Sequence, residues 1–136
     1  MNTILPQRSP RTQRGPGDPL TEAIIACAIE VHRILGPGLL ESIYEEALCH
    51  ELTLRGIPFE RQKAVDVLFK DKIIKGQRID LLVYGQVIIE IKSVKALNDA
   101  FTAQPLSYLK STKLKKALLI NFGAMKLVSG IKRISL

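Results

Sequence analysis

Apolar residues recur at helical spacing in the first third of the chain and at alternating spacing over most of the remainder. Leu20, Ile24, Ile25, Ala28 and Val31 or Leu35 stand three or four positions apart, which predicts a helix after Asp18. Asp18-Pro19 reads as an N-cap with proline at the first helical position. Gly36-Pro37-Gly38 ends that helix. Leu40, Ile43, Tyr44, Ala47, Leu48 and Leu52 form a second stripe beginning near Leu39, with Gly56 as the natural closing residue. Beyond Gly56 the period becomes two. Residues 57–69 read as one long or two short strands, 73–84 as a strand running back, and 87–94 as the most strongly β segment. Residues 98–110 return to helix, 116–122 form an apolar strand, and 126–135 hold a last strand or hairpin arm. The order αα-βββ-α-ββ predicts an α/β fold, a mixed central β-sheet flanked by helices. Residues 1–17, mixing Pro, Gly, Arg, Ser and Gln, read as a disordered basic tail. That leaves 18–136 as a single domain.

The informative pattern lies in residues 78–92. Ile79, Leu81, Val83, Val87, Ile89 and Ile91 are all aliphatic, and the charges collect at Arg78, Asp80, Glu90 and Lys92. A three-residue connection, Tyr84-Gly85-Gln86, pairs Val83 with Val87, Leu81 with Ile89 and Ile79 with Ile91, giving one aliphatic face. It also sets Asp80 opposite Glu90, with Lys92 on the same side. A two-residue Gly85-Gln86 turn suits type II′ chemistry, but it mixes charge into the buried face, and such a slip is costly. Opposed carboxylates repel unless a cation lies between them. Two such groups are hard oxygen ligands suited to Mg²⁺ with retained waters, and Lys92 can stabilise a phosphate or orient a water. The plainer reading is an exposed face carrying ordinary solubility charges.

Charge sharpens this. The chain carries 20 Lys and Arg against 13 Asp and Glu, a net +7. Residues 1–17 contribute +3, residues 18–99 contribute −3, and residues 100–136 contribute +7 with no acid at all. A polyanionic partner suits the basic last third; so does a merely solvated basic face. Tryptophan is absent and aromatic residues make up 5% of the chain, which argues against a stacking platform for single strands. No apolar run is long enough to span a membrane, and none at the N-terminus has signal-peptide length. Cys27 and Cys49 sit in helical patterns and read as small core residues, so a cytoplasmic, reducing setting is expected.

The segment around Asp80, Glu90 and Lys92 resembles the PD-(D/E)XK nuclease superfamily. It is more specifically similar to the small bacterial and archaeal GxxExxY family assigned there. The naming motif stands as Gly38-Leu39-Leu40-Glu41-Ser42-Ile43-Tyr44, with further matching stretches at 78–83, 87–94, 103–110, 118–123 and 130–134. The resemblance implies a restriction-endonuclease-like fold. It implies that Asp80 and Glu90 bind Mg²⁺ (or Mn²⁺ in its place), helped by the Ile91 carbonyl. It implies that Lys92 positions or activates the attacking water and that Glu41 completes the metal shell. Glu41 could instead serve the helix dipole, though it adjoins the apolar stripe while Glu45 and Glu46 do not. Tyr44 reads as core, and His32 as a structural hydrogen-bonder. Gln104 and Tyr108 match a helical Gln-x-x-x-Tyr motif and share a helix face, where the resemblance implies that they meet nucleic-acid backbone or Lys92. Pro105 departs from the family pattern: either the helix starts near Thr102 or it kinks.

These residues imply an Mg²⁺-dependent nuclease, with DNA as the substrate the superfamily suggests. Lys110, Lys113, Lys115 and Lys116 would hold the backbone without reading sequence. The other reading is a nuclease-fold binding or accessory module without catalysis. A homodimer is plausible because cutting both strands of a duplex usually needs two sites, although no residue carries that inference.

Overall fold

A computed structural model describes Arg11, Thr12 and residues 18–136. The expectation of a disordered tail otherwise falls on 1–10 and 13–17, which lie outside the described residues. The elements are β1 (Arg11–Thr12), α1 (Pro19–Leu35), α2 (Glu41–Leu54), β2 (Phe59–Phe69), β3 (Lys72–Val83), β4 (Val87–Lys92), a 3₁₀ turn (Asp99–Thr102), α3 (Ala103–Thr112), β5 (Lys116–Asn121), a second 3₁₀ turn (Leu127–Gly130) and β6 (Ile131–Ser135). The expected order stands, with β1 added at the edge.

Local chemistry sets the helix ends. Asp18 Oδ1 accepts the Thr21 N–H at 2.9 Å, with Pro19 at the first helical position. α2 closes in a Schellman motif, with Ile57 N–H donating to Leu52 O and Gly56 N–H to Thr53 O. Gly56 takes the left-handed conformation this requires, at φ 70°. The stripe of α2 starts later than its spacing suggested. Leu40 is the N-cap and 72% exposed and Ile43 is 46% exposed, while Tyr44, Leu48 and Leu52 are fully buried.

The six strands form one sheet in the order β1-β6-β5-β4-β3-β2. β4 and β5 are parallel, joined by the crossover through α3, and the other pairs are antiparallel. Residues of α1 and α2 pack with Leu81, Val83, Val87, Ile89, Ile91, Leu118, Ile120 and Phe122 on one face. Tyr108 and Leu109 of α3 pack with Leu82, Ile88 and Leu119 on the other. β4 is therefore central and covered on both sides, which is why its sequence is nearly continuous aliphatic.

The β3–β4 register is Leu81↔Ile89, Leu82↔Ile88 and Val83↔Val87. The connection has three residues: Tyr84 and Gly85 take φ 58° and 65°, and Gln86 N–H donates to Val83 O at 3.0 Å. Face burial thus prevails over the two-residue turn. Ile79 corrects the expected aliphatic face, because it packs on the α3 side with Ile88 and Leu119. Beyond Leu81 the strand is paired with β2 alone, and a two-stranded ribbon twists more strongly than an inner strand of a sheet.

Candidate active site

Asp80 stands at a gap in both of its ladders. On the β4 side the last rung is Leu81↔Ile89, so no rung joins Asp80 to Glu90. On the β2 side Arg61↔Leu81 and Lys63↔Ile79 flank it, while Gln62, at φ 50°, is left out of the pairing. Asp80 Oδ2 takes over one vacated position, accepting the Ile91 N–H at 2.8 Å. A strand residue sends its N–H and C=O to the same edge. The Ile91 carbonyl therefore faces this gap, and the neighbouring Lys92 carbonyl faces β5, where it accepts from Phe122 N–H at 2.8 Å.

Glu90 lies next to the gap, 5% exposed, with Oε1 buried and without a hydrogen-bond partner among the described residues. Its Oε2 is 3.7 Å from Lys92 Nζ, and the ammonium also lies 5.6 Å from the Phe101 ring centroid. Burial, and after it the Asp80 charge, pushes Glu90 up to about 7, although Lys92 pulls it down. Burial also raises Asp80; the Ile91 N–H opposes that shift, while Glu45 and Glu41 add to it.

Glu41 opens α2 on the opposite face of the sheet and reaches the segment just after β4, where its Oε2 accepts the Ser93 N–H at 3.3 Å. Ser93 Oγ donates to Leu39 O at 2.6 Å. Tyr44 supports the same turn. Its hydroxyl donates to Gly36 O at 2.5 Å and accepts from Leu39 N–H at 3.1 Å, and its ring stacks on Phe122 at 4.6 Å. Tyr44 is therefore core and turn anchor at once. Gly38, at φ 105°, suits the bend that precedes Glu41.

Gln104 and Tyr108 do share a face. α3 begins at Ala103, so Pro105 falls in its first turn rather than kinking it. Gln104 Nε2 donates to the Tyr108 hydroxyl at 2.8 Å, and that hydroxyl donates to Arg78 O at 2.7 Å. Burial, then the Glu90 charge, pushes Tyr108 up to about 12.

The lysines of the α3–β5 connection are not brought to this place. Lys116 pairs with Val87 at the start of β4 and makes an ion pair with Asp18, whereas Lys92 pairs with Asn121 at the other end. Lys110, Lys113 and Lys115 lie on the same end as Lys116. One acid whose spacing set it apart from the apolar stripe belongs here: Glu45, one turn beyond Glu41, is only 8% exposed. It is held by Arg61 at 3.1 Å and by Gln62 Nε2 at 3.1 Å. Its spacing of four from Glu41 was the available signal. His32 Nε2 lies 2.8 Å from Ala124 O, a structural contact.

The donor set suits a hard cation. Glu90 Oε1 is orphaned, Asp80 offers its second oxygen, and Mg²⁺ is commonly held by one or two carboxylates while keeping several waters. As they stand, no three His, Cys, Asp or Glu side chains among the described residues are gathered to hold a metal ion by themselves. No helix among them is long and apolar enough to cross a membrane. A family model of the PD-(D/E)XK nuclease superfamily matches residues 18–134. No match emerged among the curated proteins or among the solved structures.

Proposed function

From the premise that the chain belongs to the PD-(D/E)XK nuclease superfamily, we propose that it is an Mg²⁺-dependent nuclease hydrolysing phosphodiester bonds of DNA. One observation supports this above the rest. A buried, unpartnered Glu90 carboxylate oxygen stands beside Asp80, where both neighbouring ladders open. Orphaned polar atoms are costly, and a cation with its waters relieves that cost. Asp80, Glu90 and the Ile91 carbonyl would hold the cation, and Glu41 would complete its surroundings from α2. When bound, the ion would supply neutralisation of phosphate charge and a more acidic water. Lys92 orients the attacking water and offsets charge at the scissile phosphate. Gln104 and Tyr108 steady the strand segment that leads into Asp80.

A second reading, a nuclease-fold binding module without catalysis, is favoured by the Lys92–Glu90 ion pair, which already offsets the buried carboxylate. Incubating the purified chain with plasmid and linear DNA separates the two. Cleavage in Mg²⁺ or Mn²⁺ that is abolished by Asp80→Ala and Glu90→Ala supports the enzyme. DNA binding without cleavage under any metal condition supports the module.

A further inference from the structure

The parallel pair β4–β5 sends two loops off the same end of the sheet, and the crevice outside such strand ends is a recurrent ligand position in open α/β sheets. Here the walls are built. Asn121, 1% exposed, accepts the Val94 N–H at 2.9 Å and the Gly123 N–H at 3.0 Å through Oδ1, and donates to Val94 O at 2.9 Å. Glycine permits the closeness. A Cβ on Gly123 would stand 2.2 Å from Val94 O, and one on Gly130 would stand 2.5 Å from Asn121 O. Next to this clamp lies an open groove of about 590 Å³ lined by Lys95, Leu97, Asn121, Lys126, Ser129 and Lys132, among others.

Strand register puts the groove on the face of the sheet that carries Glu90 and Lys92. Glu90 pairs with Leu119 and Leu119 with Lys132, while Lys92 pairs with Asn121. Directly paired residues share a face. Two strand spacings, about 10 Å, therefore separate the Glu90 and Lys132 positions. Lys95, Lys126 and Lys132 make no ion pair among the described residues, in contrast to Lys63, Lys75 and Lys116. No acid follows Asp99 in the chain, so neither the β5–β6 loop nor β6 offsets them.

We infer that this groove holds the phosphodiester backbone of the nucleic-acid strand flanking the scissile bond, with Lys95, Lys126 and Lys132 as its phosphate contacts. The inference rests on the nuclease reading for its substrate class. It assigns backbone holding to this groove rather than to lysines 110–116, which lie at the far end of β4. A cationic, open groove without an aromatic platform fits a sugar–phosphate chain held without regard to sequence.

The test is binding of a labelled DNA duplex to the full chain in EDTA, where nothing is cut, across a series of salt concentrations. Each phosphate contact contributes about 0.9 to the slope of log K against log salt. Replacing Lys95, Lys126 and Lys132 together by Gln is expected to reduce that slope by about 3. Replacing Lys110, Lys113 and Lys115 is expected to leave it unchanged. If the half-buried Lys132 compromises folding, the exposed pair Lys95→Gln and Lys126→Gln carries the test, with a slope reduction of about 2. An unchanged slope in the groove variants overturns the inference. So does an equal loss in both sets, or absence of DNA binding by the unsubstituted chain. Because no step requires cleavage, failure here is distinct from failure of the catalytic reading, which Asp80 and Glu90 variants test in Mg²⁺.

Discussion

The Asp80 carboxylate accepts the Ile91 N–H at 2.8 Å in place of the backbone rung that the β3–β4 register would otherwise form. One oxygen is thereby committed to structure, and on the proposed reading the other would meet the cation. The two uses separate in mutants. Asp80→Asn keeps an oxygen acceptor for Ile91 but gives up the negative charge, so folding stability stays within about 1 kcal/mol of the parent while Mg²⁺-dependent cleavage is lost. Asp80→Ala also orphans a buried N–H and costs about 1–3 kcal/mol. Chemical denaturation alongside a plasmid-nicking assay reads both. Equal stability of the two variants would show that the Ile91 bond carries no weight.

Glu90 predicts a pH dependence. Burial and the Asp80 charge push it up to about 7 from an ordinary 4.5. Between those values the folded metal-free chain retains a proton that the unfolded chain has released. Its contribution to stability is therefore full below about pH 4.5 and is lost as pH rises through 7. Glu90→Gln does not titrate. The variant should exceed the parent in stability at pH 8 by on the order of 1–3 kcal/mol and lose that advantage in acid. Mg²⁺ should raise the unfolding midpoint of the parent most at pH 8, where the carboxylate needs no deprotonation. A parent whose stability relative to Glu90→Gln rises across this window would contradict the assignment.

How far these features could be read from the sequence depends on which contacts produce them. The alternation from Leu81 to Ile91 specifies register because a one-residue slip would turn every side chain to the wrong face. Asp80, Glu90 and Lys92 stood out as charges within otherwise aliphatic strands. Proline chemistry left two placements for Pro105, a first helical turn or a kink, and the start of α3 at Ala103 decides for the first. Ile79, Gln62 and Glu45 were not legible in the same way. Ile79 changes face because β3 leaves β4 beyond Leu81, and Gln62 takes φ 50° opposite that departure. Glu45 is buried only because Arg61 and Gln62 meet it from β2. All three result from where strands part, which is decided by packing between distant segments rather than by local spacing.

Tyr44 gives a third prediction. Its hydroxyl ties Gly36 O to Leu39 N–H, and Leu39 O receives Ser93 Oγ beside the Glu41–Ser93 bond. Tyr44→Phe keeps the stack on Phe122 and removes both bonds to the turn, with an expected cost of about 1–2 kcal/mol. Amide exchange at Leu39 should accelerate, and cleavage should fall severalfold as Glu41 loses its fixed approach. Unchanged exchange at Leu39 would confine Tyr44 to the apolar core.

Tyr108 gives the last. Its hydroxyl links Gln104 Nε2 to the carbonyl of Arg78, two residues before Asp80. Burial and the Glu90 charge push it up to about 12, so it keeps its proton and remains a donor at neutral pH. Tyr108→Phe preserves the ring among Ile79, Ile88 and Leu119 and leaves the Arg78 carbonyl without that donor. The expected loss of stability is about 1 kcal/mol. A packing role alone predicts unaltered metal affinity. A positioning role predicts a severalfold weaker Kd for Mg²⁺ by titration calorimetry, because the segment that aims Asp80 loses its tether to α3. Gln104→Ala, which leaves the Tyr108–Arg78 bond in place, should then have the smaller effect on metal affinity. An equal loss of metal affinity in the two variants would instead show that the Tyr108 hydroxyl holds this strand only when Gln104 fixes it.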